Sequence, residues 1–144
     1  MSYSITIYER NTDKVCETNQ PHNILGATYC PESTRLEFNI TFNYKKFYIR
    51  PNVLGDVNNE GLPDEKLGIK SLNRYTVPEA RVKVFSAIQA LKDQWLDADG
   101  NPAPDVDKKH RYWAATESNA RQALIRLLAL LLLAPDDARI EVTY

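Results

Sequence analysis

The sequence predicts an α+β fold: an N-terminal antiparallel β-sheet, then two α-helices and a closing C-terminal strand, in a single domain of 144 residues. Three observations carry that expectation. Apolar and polar residues alternate near both ends of the chain and across residues 35–43, as in strands with one buried and one wet face. Apolar residues recur three and four apart after Thr76 and again after Thr116, the period of helices lying on a core. The chain is 43% hydrophobic and 26% charged, enough apolar matter for a real interior.

Each element follows from its residues. Tyr3, Ile5 and Ile7 alternate with Ser4, Thr6 and Tyr8, so a strand begins almost at once. A weaker strand is predicted over 22–30, stopped by Pro31. The clearest strand is 35–43, with Leu36, Phe38, Ile40 and Phe42 on one side and Arg35, Glu37, Asn39, Thr41 and Asn43 on the other. Residues 46–50 could pair back as another, making 1–50 mainly strands. Residues 51–75 hold three of the five glycines with Pro51 and Pro63 and no period, which predicts a long loop. Thr76 and Glu79 have the spacing of a capping box and open a helix over 76–97, its stripe Val77, Val84, Ile88, Leu91 and Trp95. A polar loop, 98–115, leads to Thr116, a good N-cap for a helix over 116–134 that Pro135 stops. The latter half of that helix is apolar on nearly all sides, which predicts a central helix or one buried by a partner subunit. Ile140, Val142 and Tyr144 alternate through a last strand, 138–144.

Charge and motifs exclude several classes. Eighteen basic residues against nineteen acidic ones leave a net charge of −1, unlike a protein that lives on nucleic-acid polymers or anionic lipid. Two cysteines make no disulfide scaffold. The first residues lack the pattern of a signal peptide, and the longest apolar run, 127–134, is far short of the roughly 20 residues of a membrane span. A cytoplasmic protein without a membrane partner is expected. Cys16, His22 and Cys30 lack metal-ligand spacing, and the turn from Asp97 to Asn101 has its glycine two places early for a calcium loop. No P-loop, no dinucleotide fingerprint and no nucleophile elbow occurs. The expectation is therefore no metal, no cofactor and no catalytic residue.

Two arrangements point to binding. Lys108, Lys109, His110 and Arg111 stand just before the last helix, whose N-terminus is itself positive, so an anion there would relieve repulsion. The alternative is a solvated loop. Asn119, Gln122 and Arg126 form one polar stripe on that helix, and buried amides or guanidinium groups need partners. On the strand, Asn39, Thr41 and Asn43 project together with Tyr44 and Tyr48 close behind. Amides, a hydroxyl and aromatic rings suit a small polar ring system, by stacking on its face and hydrogen bonding at its edge. The alternative is an ordinary wet sheet face.

Some of these residues also carry a resemblance. Asn39, Thr41 and Asn43 on a strand are followed by Gly68 to Leu72. Then come Tyr112, Trp113, Thr116, Asn119 and Ala120 opening a helix, and Ala134, Pro135 and Asp136 near the end. In that order they resemble a family of small phage and prophage proteins without a settled activity, over roughly residues 35–137. The sequence departs from the family after Leu72 and at Ser118, where the family tends to carry glycine. In architecture and size the layout is also similar to viral sponge proteins, which sequester the cyclic nucleotide or cyclic ADP-ribose signals of bacterial Thoeris and CBASS defence. The resemblance implies a phage- or prophage-encoded, non-enzymatic protein in the host cytoplasm that captures a nucleotide-like signal. On that reading Lys109 and Arg111 neutralise phosphate, Asn39, Asn43 and Asn119 bond to base or ribose, and Trp113 or Tyr44 stacks. Thr116 caps the helix, and the apolar last helix makes a homo-oligomer. The alternatives are an interaction protein that blocks a host protein and, with less support, a small enzyme.

Overall fold

The computed structural model describes residues 2–22, 33–55 and 66–144, and within them the chain has the α+β fold. β1 (Ser2–Tyr8) is the central strand of a three-stranded antiparallel sheet, between β4 (Glu37–Thr41) and β5 (Arg139–Thr143). Ile5 lies opposite both Phe38 and Val142, and Ile7 opposite Ile140, so the apolar sets of all three strands fall on one face. That face is buried, while Ser4, Thr6, Glu37 and Asn39 make up the polar outer one. β2 (Glu17–His22) and β3 (Ser33–Arg35) form a separate two-stranded antiparallel ribbon. The strand predicted over 22–30 lies, from residue 23 on, outside the described residues.

Two long helices cover the inner face. α2 (Val77–Ala90) opens with the predicted capping box, Thr76 Oγ1 accepting from the Glu79 N–H and the Glu79 carboxylate accepting from the Thr76 N–H. α3 (Glu117–Leu133) is capped by Thr116. The helices run antiparallel. Arg81 on α2 donates to the Leu131 and Ala134 carbonyls at the far end of α3, and the Lys92 N–H just past α2 reaches Glu117 at its start. Leu124, Leu127, Leu130 and Leu131 are fully buried within the core that also holds Ile5, Ile7 and Ile40. Among the described residues, no helix is long and apolar enough to cross a membrane.

Three segments differ from the sequence expectation. Residues 46–50 are not a strand: a 3₁₀ turn over Phe42–Tyr44 leads into α1 (Lys45–Tyr48), a single short helix. The buried residues there are Tyr44, Phe47 and Tyr48, three and four apart, which suits a helical turn and defeats alternation. Asn43 accordingly sits past the end of β4 and not on its polar face. The long loop over 51–75 ends in a 3₁₀ helix, Gly68–Arg74, which buries Ile69 and Leu72. Its Asn73 amide brackets β5 from outside, donating to the Val142 carbonyl and accepting from the Val142 N–H. That covers a free sheet edge. Finally, α2 ends at Ala90, not at residue 97. The Lys92 N–H bonds to the Glu117 carboxylate instead of continuing the helix, and Trp95 lies half-buried in the following turn, where its carbonyl accepts from the Ala103 N–H.

Candidate ligand-binding cleft

Four consecutive backbone carbonyls are held by side chains from other parts of the fold. Arg111 O accepts from Asn119 Nδ2 at 2.7 Å, Tyr112 O from the Tyr44 hydroxyl at 2.6 Å, Trp113 O from Asn43 Nδ2 at 2.6 Å, and Ala114 O from Asn119 Nδ2 at 3.0 Å. The 3₁₀ turn Arg111–Trp113 is thereby fixed between the 42–44 turn and the first turn of α3. Its side chains nonetheless face water: Tyr112 is 72% exposed and Trp113 is 53% exposed. A shallow cleft of about 570 Å³ lies beside the Trp113 ring, lined by Ser2, Thr41, Phe42 and Asn43.

The structure sorts the predicted residues into two groups. Asn43 and Trp113 line the cleft. Asn39 lies on the same outer sheet face, two residues before Thr41, its Oδ1 accepting from the Ser4 hydroxyl at 3.1 Å; it borders the cleft without lining it. Lys109 is exposed, and the Arg111 guanidinium lies 4.6 Å over the Trp95 ring. Tyr44 is 5% exposed, so it has no free face on which a ligand could stack. Burial pushes its phenol up to about 12, while the charge of Arg126 pulls it slightly back. Tyr48 is buried as well, donating to the Ala120 carbonyl. Asn119 spends its amide on two carbonyls of the turn. Tyr44 and Asn119 are therefore braces of the site and not ligand groups.

The anion pocket expected at the start of α3 is also corrected. The first four N–H groups of the helix are taken: Glu117 donates to Leu96 O, Ser118 to Gln94 O, Asn119 to Thr116 Oγ1 and Ala120 to Thr116 O. The helix start carries its own anion, since the Glu117 carboxylate is buried there and accepts from Arg50 Nη1 at 3.0 Å and from the Lys92 N–H at 2.6 Å. Sequence reasoning passed over both Glu117 and Arg50. The only available signal was an acidic residue in the first turn of a helix, which is too common to single out.

Two basic segments meet at the braced turn. The bonds from Asn43 and Tyr44 join two segments that each carry cations, Lys45 and Lys46 on one and Lys108, Lys109 and Arg111 on the other. Arg126 is close enough for its charge to act on Tyr44. Two carboxylates precede Lys108: Asp105 is exposed, and Asp107 is engaged by the His110 ring at 2.7 Å and by the His110 N–H at 3.0 Å. Those hydrogen bonds hold Asp107 below the usual carboxylate range. Among the described residues no three His, Cys, Asp or Glu side chains are grouped to hold a metal ion. Compared with protein families, curated proteins and solved structures, the chain matches none.

Proposed function

We propose that this chain is a non-enzymatic binding protein that captures a nucleotide-like ligand, its ring on Trp113 and its phosphate among the surrounding lysines and arginines. The observation that carries the reading is an exposed indole on a backbone whose carbonyls are all braced. An aromatic ring in water gains most from a flat partner, and a backbone already held loses little freedom when one arrives. The Thr41 and Ser2 hydroxyls offer hydrogen bonds to a ring edge or a ribose. Lys45, Lys46, Lys108, Lys109 and Arg111 outnumber Asp105 and Asp107 in these two segments, which favours a phosphate. The sequence resemblance to phage and prophage proteins, with the likeness in layout and size to viral sponges, extends the reading to a phage- or prophage-encoded sponge that removes a nucleotide-derived immune signal in the host cytoplasm.

Thermal melting against a panel of linear and cyclic nucleotides tests the proposal. A ligand at 100 times its Kd stabilises the native state by about 2.7 kcal/mol, or roughly 8 °C in a chain of this size. Trp113→Ala should melt close to the wild type alone and lose the ligand shift. Lys108→Gln with Lys109→Gln should weaken binding, with a deficit that shrinks as salt rises. A panel that shifts nothing, or a shift that survives Trp113→Ala intact, refutes the assignment.

A further inference from the structure

The pair of long helices leaves one flank open. Arg121, Ile125, Leu128 and Leu132 follow at intervals of four, three and four, so they stack along one side of α3, next to its buried face. Ile125 is 37% exposed, Leu132 is 64% exposed, and Leu128 is half-buried. Phe85, 52% exposed, continues this flank onto α2. It stands one turn beyond Arg81, the residue that reaches across to α3, so it lies on the α3 side of its own helix. With Arg81 beside the end of α3 and Lys92 beside its start, equal rise per residue puts Phe85 roughly level with Leu128.

We infer that this flank is a homodimer interface in which α3 packs antiparallel on the α3 of a second copy. The sequence along the flank is complementary to itself. With a two-fold axis between positions 128 and 129, Ile125 of each copy meets Leu132 of the other, and Leu128 meets the small Ala129, which leaves room for it. The same axis brings Arg121 to Asp136, just past the helix end. Arg121 makes no ion pair among the described residues. The Asp136 side chain is 77% exposed and already holds Arg81 from one side, so its carboxylate can accept a second guanidinium. Both charge pairs recur by symmetry, one at each end of an apolar centre to which Phe85 of each copy adds. A charged rim around an apolar middle is the usual build of such contacts. This inference stands apart from the ligand reading, because the flank and the cleft share no residue.

Sedimentation velocity from low to high micromolar concentration tests it. The wild type should be a dimer. Leu132→Glu, at a position exposed in the single chain, should keep its far-ultraviolet circular dichroism and sediment as a monomer. Arg121→Glu should weaken the dimer about tenfold, and adding Asp136→Lys should restore most of that loss when compared with Asp136→Lys alone. The comparison with that single variant removes the lost Arg81 contact from the account. A monomer at high micromolar concentration, a dimer indifferent to Leu132→Glu, or charge reversal without recovery overturns the inference.

Discussion

Replacing Glu117 by Ala would break the joint that ends α2, starts α3 and holds the 98–103 turn. The carboxylate is 3% exposed and has two partners, the Arg50 guanidinium at 3.0 Å and the Lys92 N–H at 2.6 Å. Arg50 in turn donates to the Ala98 carbonyl at 2.9 Å. Removing the carboxylate leaves a part-buried N–H without its acceptor, at a cost of about 1–3 kcal/mol. It also leaves an arginine without its counter-charge, where breaking a fully buried pair costs about 3–5 kcal/mol. The Arg50 side chain is 27% exposed, so water recovers part of that second cost. The favourable acid at a helix start, about 0.3–1 kcal/mol, goes too. These contributions overlap, and together they come to about 3 kcal/mol. That is roughly 9 °C in melting temperature for this length, or about 1.5 M in the urea midpoint for a slope near 2 kcal/mol/M. Glu117→Gln keeps an acceptor for Lys92 and should lose about half as much. A cycle with Arg50→Met should give a coupling of about 1–2 kcal/mol. If Glu117→Ala unfolds within about 0.5 kcal/mol of the wild type at an unchanged slope, the joint does not hold the fold and the account of why α2 stops is wrong.

Two further outcomes follow from the braces. Asn119→Ala frees two carbonyls of the 111–114 turn and should cost about 1–2 kcal/mol in urea unfolding; it should also blunt ligand binding by loosening Trp113, and unchanged stability would return Asn119 to the ligand. The phenols of Tyr44, raised to about 12, and Tyr48, raised well above its ordinary value by burial, stay neutral in the native state. The unfolded chain ionises them near 10, so stability is level below that pH and falls as pH climbs beyond it. Absorbance at 295 nm should show a subset of the eight tyrosines titrating only as the chain unfolds; all of them ionising together near 10 with the fold intact would contradict the burial.

Local rules reached most of the framework. Alternation placed Tyr3, Ile5 and Ile7, then Phe38 and Ile40, then Ile140 and Val142 on one buried face, because register in a one-sided sheet is set by that face. Thr76 and Thr116 marked both helix starts, since a cap is chemistry within four residues. What was lost depended on distant partners. The stripe Val77, Val84, Ile88, Leu91 and Trp95 continues past Ala90 in the sequence, yet the helix ends because Glu117, 25 residues beyond Lys92, supplies a better acceptor. Residues 44–48 were too few for their period to show, and their helix is settled by Tyr44, Phe47 and Tyr48 meeting the core.

The site shows the same division more sharply. Asn119 drew notice as a polar group on an apolar helix, where such groups must find partners, and Asn43 and Tyr44 as part of a polar strand face suited to a ring. The partners turned out to be carbonyls of one turn, up to 70 residues away, and not a ligand. A group whose hydrogen bonds the fold itself consumes cannot also be the one that recognises a ligand. Recognition must fall to what the fold leaves over: the face of Trp113, the hydroxyl of Ser2, the O–H of Thr41, whose oxygen already accepts from the Asn43 N–H, and the cations of the two basic segments. A net charge of −1 conceals these cations, because the bonds that brace the turn draw two basic segments together, the second of them directly preceded by Asp105 and Asp107. The braces and the candidate ligand groups are thus successive consequences of one arrangement. Losing a brace should cost both stability and affinity, whereas losing Trp113 should cost affinity alone.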